Sequence, residues 1–199
     1  MTTFAFPSIN PRTSTWRIVS NTQTFISPTT GQIQTAARNG TRWVIQLNFG
    51  TLTGADRGEM QGFLGALDGQ RHRFTVKDHS YSGARGALGG TPLVNGASQT
   101  GNSLITDGWP NSTAILKRGD LISLPNNELK MITADVSSDG SGNATLSIIP
   151  EIHTSPSNND ALTTVNPIGL FILATPEVGW SSRPGIFSDL TIDAFEDLG

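Results

Sequence analysis

The three histidines are the first residues to consider as catalytic or metal-binding groups. His72, His79 and His153 are far apart in the sequence, and none is paired with a glutamate at the i, i+4 spacing that a helical zinc site requires. His72 and His79 instead flank a predicted strand together with Asp78, which favours a hydrogen bond within the sheet or its turn. We therefore predict neither a metal site nor a catalytic role for the histidines.

Two oxygen-rich segments could bind a cation or transfer protons. Asp139-Gly-Ser-Gly-Asn143 resembles the first half of a calcium loop, but Ala144 stands where such a loop needs glycine and Pro150 where it needs a bidentate glutamate. A hairpin turn is the preferred interpretation. The acidic pair Glu196-Asp197 has no apolar surroundings that would raise a pKa, so we expect both carboxylates to be solvated.

The remaining short motifs predict no catalytic chemistry. Arg118-Gly-Asp120 spells a cell-adhesion tripeptide, but it precedes a predicted strand and a tight turn explains it. The glycines at 83, 86 and 89 do not have the spacing of a dinucleotide fingerprint, and the sequence has no P-loop or G-x-S-x-G motif. Cysteine is absent, which excludes disulfides and cysteine nucleophiles. We predict that the protein is not an enzyme and binds no cofactor.

Trp109 is the one candidate for ligand binding. It lies on a polar, loop-like stretch where its ring could stack on a sugar, and small β-barrels often bind glycans. A carbohydrate-binding β module that contacts a host surface is therefore an alternative function. The competing interpretation is that the Trp109 ring packs under the neighbouring glycine-rich segment.

The composition predicts a mainly β protein. Charged residues make up 15% of the chain, compared with about 25% in typical proteins, while the 22 glycines and 11 prolines suit short strands joined by tight turns. A formal charge of −3 argues against a protein that grips nucleic-acid phosphates. The sequence shows neither an apolar run long enough to span a bilayer nor a secretion signal at its start, so we expect assembly inside a cell and no membrane partner.

The first part of the chain predicts a strand followed by the only convincing helix. Residues 42–49 alternate, with Trp43, Ile45, Leu47 and Phe49 on one face. Thr53 is the predicted N-cap of a helix over residues 55–68, and Gly69 stands where a left-handed C-terminal residue is expected. Apolar residues recur within this helix at helical spacing, at Met60, Phe63, Leu64 and Leu67.

The other predicted strands are short. They cover residues 16–20, 32–35, 71–78, 103–106, 121–124, 129–134, 144–149 and 185–195, with a further apolar stretch at 168–174. The composition of the chain changes near residue 79. The glycine-rich residues 80–102 that follow are either a long loop or the entrance to a domain. This pattern predicts one domain built from residues 1–79 and 168–199, with a second domain, residues 80–167, inserted into it as a small barrel or sandwich.

Three patterns in the inserted segment follow one another in a recognisable order. They are Lys117-Arg-Gly-Asp-Leu-Ile-Ser-Leu124, Glu128-Leu-Lys-Met-Ile-Thr-Ala-Asp135 and Gly142-Asn-Ala-Thr-Leu-Ser-Ile-Ile-Pro-Glu-Ile152. This order resembles the inserted domain of siphophage distal tail proteins. The helix ending in Leu67-Asp-Gly-Gln70 and the segment Asn166-Pro-Ile-Gly-Leu-Phe171 are also similar to that family. Residues 80–102 cannot be matched residue by residue.

The resemblance implies a structural virion protein of a long-tailed phage. Residues 1–79 and 168–199 would form a tail-tube-like β-sandwich with one helix, and residues 80–167 an inserted OB-like β-barrel on the outside. Such proteins form hexameric rings that join the tail tube to the tail-tip hub and fibres. The implied partners are copies of the chain itself, the tail tube protein, the hub and fibre proteins and the tape measure protein. DNA would pass through the lumen without specific binding. The expected location is the phage tail tip, after assembly in the host cytoplasm.

Overall fold

The computed structural model describes residues 1–52, 54–183 and 187–198. The chain is mainly β, as predicted, with curled sheets that include a half-barrel. None of the helical residues described forms a helix long and apolar enough to cross a bilayer. The elements, in chain order, are β1 (Thr3–Ala5), β2 (Thr13–Ile26), β3 (Ile33–Leu52), α1 (Gly54–Leu67), β4 (Arg73–Lys77), β5 (Leu93–Val94), β6 (Gly101–Asp107), β7 (Ala114–Leu116), β8 (Leu121–Ser123), β9 (Leu129–Ile132), β10 (Val136–Ser137), β11 (Ala144–Ile152), β12 (Ile168–Leu173), β13 (Ser181–Arg183) and β14 (Phe187–Glu196).

The larger sheet has seven strands and takes them from both ends of the chain. Its order is β1-β4-β12-β14-β3-β2, and β13 pairs with β14. The alternation predicted for β3 is confirmed, because Trp43, Ile45, Leu47 and Phe49 are all buried. In β14 the inward positions Leu190, Ile192 and Ala194 are buried as well. Gly185 and Ile186, which the sequence placed at the start of this last strand, lie outside the described residues.

The predicted helix is confirmed to within one residue at each end. Helix α1 buries Met60, Leu64 and Leu67 against the seven-stranded sheet, and Phe63 is partly buried beside them. Gly69 has a φ of 62°, in the left-handed region expected after a helix. The predicted N-cap, Thr53, lies outside the described residues.

The middle of the chain forms a five-stranded sheet in the order β5-β6-β11-β9-β8, with β10 and β7 paired beside it. The predicted strands over residues 103–106, 121–124, 129–134 and 144–149 correspond to β6, β8, β9 and β11. The glycine-rich residues 80–102 are mostly loop, with the two-residue strand β5 near their end.

Each sheet has its own cluster of buried apolar side chains. The first cluster lies between the seven-stranded sheet and α1, and Leu121 and Leu129 from the smaller sheet also belong to it. The second lies within the five-stranded sheet and includes Leu104, Ile122 and Leu146. All strands of the seven-stranded sheet lie within residues 3–77 and 168–196. The division into an outer and an inserted domain fits this arrangement and stays a prediction.

The hairpin of β2 and β3 is much longer than the sequence suggested. The predicted strands at 16–20 and 32–35 are parts of strands of 14 and 20 residues, and the two pair from Thr13↔Asn48 out to Ile26↔Ile33. The loop closes with Ser27 N–H donating to the Gln32 carbonyl at 2.9 Å. The outer half of this hairpin extends beyond the buried part of the sheet.

Candidate assembly surface

The outer half of the hairpin, residues 19–40, is called the arm below. Every residue of its two strands is exposed except Gly40, which is half-buried. Three large apolar side chains at its end are open to solvent, with Phe25 64%, Ile26 60% and Ile33 65% exposed. Large exposed apolar groups that cluster in one place mark contact sites for other proteins. The arm is therefore the first candidate for a functional surface.

The two faces of the arm differ in chemistry. Because neighbouring residues of a strand point to opposite faces and paired residues share a face, the strand register assigns each side chain to a face. One face, the Thr/Ile face, carries β-branched side chains and an alanine. The other, the amide face, carries three amides, Phe25, Ala36 and Arg38. The Thr/Ile face consists of Thr22, Thr24, Ile26, Ile33, Thr35 and Ala37, and the amide face of Asn21, Gln23, Phe25, Gln34, Ala36 and Arg38.

Among the strands that the structure describes, none pairs with the outer edge of the arm. Strand β2 is the last strand of the seven-stranded sheet, and β3 is its partner on one side. An edge strand presents a row of backbone N–H and C=O groups that another chain can pair with. The 14 residues of β2 make this edge long for a globular protein. The arm thus offers both apolar side chains and backbone hydrogen bonds to a partner.

Two side chains from the smaller sheet contact the base of the arm. The Glu151 Oε1 accepts hydrogen bonds from the backbone N–H of Gly40 at 2.6 Å and of Thr41 at 3.2 Å. The His153 Nε2 lies 3.0 Å from the Thr41 carbonyl oxygen. Burial alone would raise the pKa of Glu151, but the backbone N–H groups of Gly40, Glu151 and Thr41 outweigh it and hold the pKa below its usual value. The carboxylate therefore stays ionised at neutral pH.

A buried charge cluster joins the two sheets. The Lys130 side chain is 0% exposed, and its Nζ lies 2.7 Å from Glu128 Oε2. The Glu196 side chain accepts hydrogen bonds from the backbone N–H of Trp43 at 2.9 Å and of Leu129 at 3.2 Å. The Trp43 ring donates from Nε1 to the Leu129 carbonyl at 2.8 Å. All these groups lie in the interior, so the cluster connects the sheets and does not face solvent.

The expectation that Glu196 and Asp197 are solvated is wrong. Glu196 is 1% exposed, and burial raises its pKa to about 7 against the opposing effect of Lys130 and two backbone N–H groups. Asp197 Oδ2 pairs with Arg73 Nε at 2.6 Å. The reason is the alternation of β14, which places Glu196 on the same inward face as Ile192 and Ala194.

The three histidines lie on different parts of the fold. His72 accepts a hydrogen bond at Nδ1 from the Thr2 backbone N–H at 3.1 Å, which is a contact within the sheet region as predicted. His79 Nδ1 is buried without a hydrogen-bond partner among the described residues, so the hydrogen bond predicted for His79 is not found at this atom, and burial lowers its pKa. His153 contacts the arm base. Within residues 1–52, 54–183 and 187–198, no group of three or more His, Asp or Glu could hold a metal ion.

The two short motifs are turns. Asp139 Oδ1 accepts hydrogen bonds from the backbone N–H of Ser141 and Asn143, both at 2.8 Å, so the calcium-like segment closes on itself as the hairpin interpretation predicted. The Asp120 side chain is 0% exposed and accepts the Lys117 backbone N–H at 2.8 Å. Its carboxylate is therefore not displayed to a receptor.

Trp109 does not offer its ring to a ligand. The side chain is 4% exposed within the second apolar cluster, and its Nε1 donates to Thr106 Oγ1 at 2.8 Å. A stacking platform needs an open aromatic face, so the prediction of glycan stacking at Trp109 is not supported. The glycine-rich segment lies close by, since a Cβ at Gly90 would come within 3.3 Å of the Trp109 Cα. Packing under this segment is what the structure shows.

Neither protein-family models nor curated proteins match this sequence.

The arm is the feature that sequence reasoning missed. Its strands are exposed on both sides, so they lack the apolar alternation by which the buried half of β3 was found. Two weaker signals were present. Residues 22–26 and 33–35 are rich in threonine and other β-formers, and Pro28-Thr-Thr-Gly31 between them is a turn signal. Together they indicate a hairpin, although not how far it extends.

Proposed function

We propose that this chain is a structural subunit of the tail tip of a long-tailed phage, where copies of it form a hexameric ring. The observation that carries the proposal is the arm, a two-stranded extension with an unpaired edge and exposed apolar side chains at its end. The order of the three patterns between Lys117 and Ile152 supplies the phage context by its resemblance to distal tail proteins.

The arm needs a partner on physical grounds. Isolated two-stranded hairpins are only marginally stable in water, and a long exposed edge invites pairing with other chains. Burial of an isoleucine side chain contributes about 1.5–3 kcal/mol, and Ile26 and Ile33 lie opposite each other on the Thr/Ile face. In the proposed ring this face packs against the neighbouring copy, which completes the burial that the single chain leaves open.

The contact between neighbours is heterologous. The arm of one copy meets a different surface of the next, and such contacts close into a ring only if the rotation per subunit matches the number of copies, about 60° for a hexamer. An error in the direction of the arm would therefore leave an open chain of subunits. Arm geometry is the quantity on which ring closure depends.

The charge of the arm suits a channel for DNA. Residues 19–40 contain one charged side chain, Arg38, and the amide face otherwise presents neutral groups. Affinity for nucleic acid comes mainly from phosphate contacts with lysine and arginine, so a nearly uncharged lining lets DNA slide without being held. We assign the amide face to the lumen of the ring.

The two parts of the chain have different roles in this proposal. The seven-stranded sheet with α1 is the tail-tube-like β-sandwich, which continues the tail tube and contacts the tube, hub, fibre and tape measure proteins. The five-stranded sheet with β7 and β10 is the OB-like barrel and lies on the outside of the ring. The site of action is the tail tip of the virion.

The test is assembly of the purified protein, alone and with the tail tube protein of the same phage. Light scattering and negative-stain imaging of the parent protein with the tube protein should show six-fold rings. The variant with both Ile26→Asp and Ile33→Asp should give no rings, because charge on the Thr/Ile face opposes burial. Ile105→Asp is the matched control, since Ile105 is an exposed isoleucine on β6 and does not belong to the arm.

Two results would count against the proposal. Rings formed equally well by the double variant would show that the Thr/Ile face is not the contact between copies. A parent protein that neither forms rings nor binds the tube protein would remove the tail-tip assignment itself.

A further inference from the structure

The base of the arm is a bulge in β3. Val19 pairs with Arg42 and Asn21 pairs with Arg38, so three residues of β3 stand opposite the single residue Ser20 of β2. A bulge of this kind bends the strand and frees backbone groups from the ladder. The Asn21 side chain donates from Nδ2 to the Asn39 carbonyl at 2.8 Å, which satisfies one of these groups. The direction of the arm is decided at this bulge.

The smaller sheet satisfies the next groups of the bulge. One oxygen of Glu151 accepts both the Gly40 and the Thr41 N–H, and the His153 ring lies against the Thr41 carbonyl. Glu151 lies in β11 and His153 just after its end, and both side chains reach the same backbone stretch, Gly40 to Thr41. Among the described residues, one hydrogen bond joins the arm to a group outside the hairpin. The Gly40 N–H donates it to Glu151 Oε1.

The buried ion pair holds these two residues in place. Lys130 Nζ donates to the Glu151 carbonyl at 2.8 Å, and Glu128 Oε2 accepts the His153 backbone N–H at 3.1 Å. Lys130 and Glu128 contact each other at 2.7 Å. The Lys130–Glu128 pair thus fixes the backbone at residues 151 and 153. This in turn holds the Glu151 and His153 side chains in the direction of the bulge.

We propose that Glu151 is a positioning residue that sets the direction in which the arm leaves the seven-stranded sheet. The middle of the chain, which carries Glu151, thereby controls a structural element that belongs to the other sheet. This inference rests on the proposed function for its biological purpose, since the direction of the arm decides ring closure. Its physical content, an arm held by a carboxylate on β11, applies to the single chain.

The direct test measures the arm in the unassembled protein. The sequence contains no cysteine, so spin labels can be attached at two introduced cysteines only. Thr29→Cys in the arm loop and Thr145→Cys on β11 report the distance from the arm to the smaller sheet, because both residues are exposed. We expect a narrow distance distribution in the parent, a broad one in Glu151→Ala and an intermediate one in Glu151→Gln, whose amide oxygen can still accept both N–H groups.

Amide hydrogen exchange gives the second readout. Exchange at Gly40 and Thr41 should accelerate at least about tenfold in Glu151→Ala, the factor expected when a charge-assisted hydrogen bond is lost. Asp139→Asn is the matched control, because the Asp139 carboxylate accepts hydrogen bonds only within its own turn. This variant should leave the exchange and the arm distances unchanged.

A second label pair separates arm direction from general loosening. Glu59→Cys on α1 and Thr145→Cys report the distance between the two sheets. The proposal requires this distance to stay narrow in Glu151→Ala. An unchanged arm distance in that variant would overturn the proposal. Broadening of both distances would overturn it too, because Glu151 would then hold the two sheets together and not direct the arm.

The ring assay distinguishes this inference from the proposed function. If the parent forms rings with the tail tube protein, Glu151→Ala should give fewer closed rings and more open assemblies than Glu151→Gln. A parent that neither forms rings nor binds the tail tube protein would contradict the proposed function, while the label distances would still decide whether Glu151 positions the arm.

Discussion

The inner and outer halves of one hairpin differ in what stabilises them. Next to the helix, β3 buries one face, and Ile45 and Leu47 have no exposed surface. Beyond the bulge the same strand is exposed on both faces, and Ile33 is 65% exposed. The strand pairs with β2 through both halves, and in the inner half it also pairs with β14 on its other side. Strand formation and core formation are therefore separate properties in this chain.

The difference shows where the free energy of the arm must come from. Backbone pairing alone gives a two-stranded ribbon little stability, because each ladder hydrogen bond largely replaces one made with water. The inner half gains the burial of apolar side chains and a second paired strand, β14, whereas the arm gains its turn, the Asn21–Asn39 hydrogen bond and the Glu151 contact. An arm of this kind is stabilised fully when a partner covers it.

The largest expected effect is the difference in unfolding free energy between two isoleucine-to-alanine substitutions in β3, one in each half of the strand. Ile45→Ala should lower the free energy of unfolding by about 2–5 kcal/mol, because it leaves a cavity in the core. Ile33→Ala should change it by less than about 0.5 kcal/mol, the usual result at an exposed position. Chemical denaturation of both variants and the parent measures the difference. A loss at Ile33 as large as that at Ile45 would mean that the isolated chain already buries its arm.

A smaller effect is expected from two carboxylates, Glu196 beside the inner half of the hairpin and Glu151 beside the arm. Glu196 lies at the buried half, and its pKa is raised from 4.5 to about 7. A carboxyl with a raised folded pKa stabilises the protein below its unfolded pKa and loses that contribution as the pH rises through the folded value. The parent should thus lose on the order of 2–3 kcal/mol from Glu196 between about pH 5 and pH 8, and Glu196→Gln should not.

The readout is the difference between the parent and Glu196→Gln in urea denaturation across this range. Burial and Lys77 lower the pKa of His79, so its contribution to stability changes with pH in the opposite direction, and the difference between the two proteins removes this contribution. Glu151 behaves differently because its pKa is lowered. The contribution of Glu151 to stability is present above pH 4.5 and is lost as the pH falls. We therefore expect the arm to lose order on acidification, whereas Glu196 stabilises the buried half at the same low pH. Parallel pH profiles of stability for the parent and Glu196→Gln would contradict the raised pKa of Glu196.

The sequence predicts the buried parts of the fold well for a physical reason. Alternating burial leaves a period-two pattern, so the core face of β3 and the inward face of β14 could be located from Trp43 to Phe49 and from Leu190 to Ala194. Helix α1 was equally visible from Met60, Leu64 and Leu67. Short strands such as β5, β7 and β10 were missed because two or three residues cannot show a period.

The arm could not be found by the same search for alternating apolar residues. No alternation marks residues 19–40, and the contacts of Gly40 with Glu151 join positions 111 residues apart. Extending the β14 alternation by one step would have placed Glu196 inside, yet charge suggested a solvated end. The burial of Trp109 depended on loop packing that composition does not specify. The arm and its contact with Glu151 thus depend on exposure and on long-range contacts, neither of which leaves a local pattern in the sequence.

The smallest expected effect concerns the loop of the arm. Gly31 has a φ of 69°, and a Cβ there would meet no atom within 4 Å, so Gly31→Ala adds only the conformational cost of a left-handed residue, about 1–2 kcal/mol. We expect the arm to open without unfolding the core, so this cost should appear as several-fold faster amide exchange in the arm and leave global stability nearly unchanged. Gly69 is the matched position in the buried part, with a φ of 62° and the Pro176 carbonyl 2.7 Å from a built Cβ. Gly69→Ala should lower global stability, since the clash is with backbone. Equal global losses from the two alanines would show that the arm folds as one unit with the core.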